Sequence, residues 1–107
     1  MNVCHAHADE PRLADLVDYP VHASCWSHLT TTPSVSNFRE VSRACVIGGI
    51  NEQLTIIRSQ PEQIRDDVLA TVGEAGRAHC IVGPGCSLAT ETPANLIDAA
   101  RRAAWEA

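Results

Sequence analysis

The sequence predicts an α/β fold of parallel strands, in which four strand–helix units form half of an eight-unit barrel. Three observations carry that expectation. Short, continuously apolar runs alternate with polar turns and amphipathic stretches, the pattern of parallel strands covered by helices. Helix-start residues stand where the period changes before the last two helices. The 107 residues suffice for one domain with one core, whereas a closed barrel of such units takes about 250 residues.

The first strand is expected over 2–5, followed by a helix with Asp9 as N-cap, Pro11 in its first turn and Leu13, Leu16 and Val17 as its apolar stripe. A second strand over 21–26 leads through a Thr-rich loop (30–33) into a short helix near Asn37 to Arg43. The third strand, 45–49, passes through Asn51 into a helical piece ending near Ile57. Ser59 and Glu62 then make a capping box, and Ile64, Val68, Leu69 and Val72 form the buried stripe of the clearest helix. The fourth strand, 79–82, runs into Gly83-Pro84-Gly85-Cys86. Thr92-Pro93 opens a last helix with Leu96, Ile97, Ala100 and Ala104 on its apolar side.

Composition narrows the function classes. With 4% aromatic residues the core must be aliphatic. All eight basic residues are arginine and the net charge is −5. Nothing resembles the clustered positive charge that a nucleic-acid partner requires. No run approaches the roughly 20 apolar residues that span a bilayer, and residues 1–5 lack the features of a secretory signal. Five cysteines, an odd number with no C-x-x-C pair, suggest a reduced, cytoplasmic chain. Cys25, Cys45 and Cys80 lie in apolar runs and read as core residues, and His22 and His79, within their strands, read as core or helix-facing residues.

Ligands of parallel α/β folds gather at the carboxyl ends of the strands. Those ends hold His5 and His7, then Trp26 and His28, then Gly49 and Asn51, then residues 84–86. In an extended segment His5 and His7 face the same way, and imidazole is a zinc ligand. Cys86 adds a thiolate donor, and three such ligands leave one tetrahedral position open, as catalytic zinc sites do. The H-x-H pattern is weak, and the same histidines also read as polar loop residues. Trp26 reads equally as a substrate-stacking wall or as packing. Asn51 is the second candidate for substrate binding.

In this order, His5-Ala6-His7, Trp26, the stretch from Val46 to Asn51, Gly83-Pro84-Gly85-Cys86 and Thr92-Pro93-Ala94-Asn95-Leu96 resemble the uroporphyrinogen decarboxylase family. More narrowly, they are similar to its branch of zinc- and corrinoid-dependent methyltransferases, which methylate a thiol such as coenzyme M. The resemblance spans residues 1–107 and implies the C-terminal half of a TIM-type (β/α)8 barrel. It also implies zinc held by His5, His7 (where the family has cysteine) and Cys86, with a methylated corrinoid on a partner protein as methyl donor. Imidazole in place of thiolate makes that site one negative charge poorer.

The decarboxylase branch implies a porphyrinogen substrate, but the chain departs from it at Gly83-Pro84-Gly85, where a Gly-His-Gly is usual, and at Asn51, where an aspartate is usual. That branch's essential aspartate and carboxylate-binding arginines belong to the other barrel half. A third expectation is a non-catalytic fragment or subunit, with its barrel closed by self-association or by a separately encoded first half.

Overall fold

The computed structural model describes residues 1–3, 17–52 and 60–107. Among them the order is β1 (Ala23–Cys25), α1 (Val35–Val41), β2 (Cys45–Ile50), α2 (Pro61–Ala75), a 3-10 turn (Arg77–His79), β3 (Cys80–Pro84) and α3 (Ala94–Glu106). The strands are parallel and lie in chain order, β1-β2-β3, with Cys25 opposite Ile47 and Ile47 opposite Ile81. The expected α/β class with parallel strands is therefore what the chain forms.

The four expected units are not all present among the described residues. The described residues form three strand–helix units. At the place of the first predicted strand, residues 1–3 make a single parallel bridge, Asn2 to Cys25, flanked by the Val3 N–H on the Cys25 carbonyl at 2.9 Å. Residues 4 and 5 of that predicted strand lie outside the described residues. Among the described residues β3 pairs with β2 alone, so the described sheet is open and is not a closed barrel, whose first and last strands would pair. The helices predicted from Asp9 and up to Ile57 lie outside the described residues.

Alternation explains where the core sits. Trp26, Val46, Ile50, Cys80 and Val82 project from one face of the sheet, and every one of them belongs to or packs against a helix-lined cluster. Val35 and Phe38 of α1 meet Trp26, Val46 and Ala75 in the first cluster. Ile64 and Val68 of α2 meet Leu96, Ala100 and Ala103 of α3 in the second. The opposite sheet face carries Ala23, Cys25, Cys45, Ile47 and Ile81, and Ile81 is 53% exposed.

The helices themselves depart from expectation in instructive ways. Helix α1 starts at Val35, two residues early, because the Ser34 hydroxyl caps it by accepting the Asn37 N–H. Ser59 lies outside the described residues; Gln60 is the N-cap of α2, with Pro61 beginning the helix. The buried stripe of α2 is Ile64, Val68, Thr71 and Ala75, while Leu69 and Val72 are only half-buried. Thr71 is buried because it packs over Gly49, where a Cβ would lie 3.5 Å from the Thr71 Cβ and 3.4 Å from the Val68 Cα. Gly49 has φ +102°, a value that favours glycine. In α3 the buried residues are Leu96, Ala100 and Ala103 rather than Ile97 and Ala104. Thr92 does not cap that helix; its hydroxyl donates to the Ala89 carbonyl. His22 and His79 are exposed, not core residues, because β1 and β3 begin only after them.

The amino-terminal edge of the sheet is tied together by Arg39. Its guanidinium donates to the carbonyls of Ala75 (3.1 Å), Ala44 (2.7 Å), His79 (2.9 Å) and Ser42 (3.4 Å). One side chain thereby joins the end of α1, the end of α2 and the approaches to β2 and β3.

Candidate functional site

The three strands deliver their carboxyl ends to one edge: Trp26, Ser27 and His28 after β1, Asn51 and Glu52 after β2, and Gly85 and Cys86 after β3. Close backbone approach sets their spacing. A Cβ at Gly85 would come within 2.6 Å of the Ser27 Cα and 2.7 Å of the Trp26 carbonyl oxygen. The loop after β3 can therefore lie on the Trp26–Ser27 backbone only because residue 85 has no side chain. The Cys25 thiol adds a bond at this junction, donating to the Pro84 carbonyl at 3.3 Å. Burial, reinforced by Glu52, pushes that thiol's pKa up, so Cys25 remains a neutral packing group.

Trp26 is fully buried. Its ring packs against Phe38 (centroids 4.8 Å apart) and meets His28 edge-on at 5.7 Å, and its indole N–H donates to the Pro33 carbonyl at 2.8 Å. Of the two roles expected for Trp26, this arrangement is that of packing. Asn51 is buried at 9% exposure beside Glu52.

His28 crosses to β2. Its Nε2 accepts the Gly49 N–H at 3.1 Å, and its ring occupies the space a Gly48 side chain would need, 2.4 Å from the ideal Cβ. Accepting through Nε2 requires the neutral ring with its proton on Nδ1. Burial favours that neutral form and lowers the His28 pKa, against the opposing fields of Glu74 and Glu52.

Beside His28, the Ser27 hydroxyl donates to the Glu52 Oε1. A hydroxyl on a carboxylate has a proton acceptor in place, which is the first requirement of a nucleophile. Among the described residues no third member of a triad joins them: His28 Nε2 is committed to backbone, and the Ser27 carbonyl is held by the hydroxyls of Thr30 (3.3 Å) and Thr31 (3.0 Å). Among the described residues the edge is thus a set of mutually satisfied polar groups. Sequence reasoning passed over Ser27 and Glu52, although each directly adjoins a residue singled out at a strand end.

Of the predicted metal ligands, Cys86 alone is among the described residues. His5 and His7 lie outside the described residues. Cys86 is buried and disulfide-bonded, which corrects the expectation of a uniformly reduced chain; Cys25, Cys45 and Cys80 are free thiols. Among the described residues no group of three or more His, Cys, Asp or Glu is arranged to hold a metal ion. A disulfide sulfur has no thiolate to offer, so Cys86 does not fit a zinc site in this state. A cavity of about 350 Å³ lies away from the strand ends, between α2 and α3. Of its charged lining, Arg65 pairs with Glu106 and Arg102 with Asp98, and Glu62 lies beside them. No described helix is long and apolar enough to cross a membrane. Compared with protein-family models, with curated proteins and with solved structures, the chain matches none.

Proposed function

We propose that the chain is the C-terminal part of a uroporphyrinogen decarboxylase-like barrel domain, and that its strand ends supply one wall of a substrate pocket, not a self-sufficient active site. The observation that supports this best is the convergence of Ser27 and His28, Asn51 and Glu52, and Gly85 and Cys86 from three successive parallel strands onto one edge. Strands in chain order with their helix-lined cores on one face are also what a segment of a barrel presents. The substrate in this reading is a small-molecule thiol or a porphyrinogen, and the rest of the pocket comes from a first-half partner or a second copy. Uroporphyrinogen decarboxylation is assayed with the chain alone and with the products of neighbouring genes. Turnover by the chain alone overturns the wall reading, and no turnover in either case removes the decarboxylase version of it.

The methyltransferase version rests on the match of His5, His7 and Cys86 to that branch's ligand positions. It requires Cys86 reduced, as does the cytoplasmic location read from the sequence. A corrinoid-bearing protein is then the methyl-donating partner. Metal analysis of chain purified under a strong reductant decides it. Stoichiometric zinc that is lost in Cys86→Ala supports the reading; no zinc, or zinc retained in that variant, sinks it.

A further inference from the structure

The amino-terminal edge of the sheet, opposite the strand ends, holds a second cleft of about 240 Å³, lined by Arg39, Ser42, Arg43, Ala75 and His79. Arg39 is immobilised there by its four carbonyl partners. Those bonds use four of the five guanidinium N–H groups and leave one on Nη2. The Ser42 hydroxyl accepts the Ala44 N–H at 3.1 Å, so its own proton is available to donate. Arg43 and His79 are exposed.

Charge is segregated around this cleft. Arg65, Arg101 and Arg102, all on the α2–α3 pair, each bond a carboxylate. None of Arg39, Arg43 and His79 does so among the described residues, and no described carboxylate lines the cleft. Two guanidinium groups, an imidazole and a hydroxyl donor therefore share one cavity in a chain of net charge −5. Guanidinium forks match the oxygens of a tetrahedral oxyanion. The volume falls below the roughly 300–1,000 Å³ of pockets that take drug-sized ligands, so a single phosphate group suits it better than a nucleotide.

We infer that the cleft formed by Arg39, Ser42, Arg43 and His79 is a binding site for a phosphate group, either free phosphate or that of a small monoester. The site lies on the other edge of the sheet from the proposed pocket wall and does not depend on that reading. Inorganic phosphate is titrated into the isotope-labelled full chain at constant ionic strength and followed by amide chemical shifts. Saturable shifts are expected at Ser42, Arg43, Ala44 and His79. Arg43→Ala, a change at an exposed side chain, is expected to weaken binding about tenfold, the worth of one charge-assisted hydrogen bond. Arg65→Ala is expected to leave it unchanged. Glycerol 3-phosphate distinguishes the sources: tighter binding than inorganic phosphate marks a monoester as the occupant, and weaker binding marks the free ion. Non-saturating shifts, equal shifts with chloride, or wild-type binding by Arg43→Ala overturn the inference.

Discussion

His28 is the residue whose chemistry is set most clearly by its surroundings. Its neutral ring accepts a backbone N–H, and burial lowers its pKa. A histidine with a folded pKa below its unfolded value of about 6.5 takes up a proton on unfolding. Its contribution is then fully present above about pH 6.5 and is lost as pH falls through that value toward the folded pKa. Urea unfolding between pH 7.5 and 5.5 is expected to show stability declining with acidification. In His28→Gln, whose amide oxygen can still accept the Gly49 N–H, that part of the slope should vanish. An unchanged slope would place the titrating group elsewhere. Gly85 makes a second prediction at this scale. Gly85→Ala drives a methyl group into the Trp26–Ser27 backbone, which cannot swing away as a side chain would. The expected cost is about 1–3 kcal/mol, typical of overpacking, read as a lower urea midpoint at unchanged slope.

At the scale of elements, α3 separates two readings of one stripe. Leu96 is buried at 6% exposure against Ile64 and Val68, whereas Ile97 is 49% exposed. Leu96→Ala is expected to cost about 2–5 kcal/mol, and Ile97→Ala to stay within about 0.5 kcal/mol. Equal costs in thermal unfolding would mean that the helix is rotated from the position described. The same contrast shows what was legible beforehand. Periodicity located α2, α3 and the strands β2 and β3, because apolar runs and helix starts are local features of sequence. It could not choose between Ile97 and Ala103, which both satisfy a helical repeat, because the α2 surface decides which one faces inward. Nor could it foresee Thr71 as a core residue, since that depends on the missing side chain of Gly49 across the interface. The strand ends were legible as a location, while the Ser27–Glu52 bond and the His28 tautomer depend on partners distant in sequence.

At the scale of the whole molecule, the sheet is asymmetric. The two helix-lined clusters meet one face, while the other shows Ile47 half-buried and Ile81 exposed at the open side of the sheet, on β3. An apolar side chain next to a row of unpaired strand N–H and C=O groups is the usual template for further pairing. Trp105 and Ile97, 82% and 49% exposed on the helix that follows β3, add apolar surface of the kind that marks association sites. If the proposed pocket wall is completed by a second copy, the chain should associate at micromolar concentration. Sedimentation equilibrium should then return a mass above 11.5 kDa. Ile81→Lys places a charge on that edge, a known means of blocking strand addition, and should shift the population to monomer. Far-UV circular dichroism should stay unchanged, because the Ile81 side chain is largely outside the core. A wild-type chain that sediments as a folded monomer removes the second copy as the partner and leaves a separately encoded barrel half to complete the wall. Association that persists undiminished in Ile81→Lys would instead move the contact off the β3 edge, onto a surface such as Trp105 of α3.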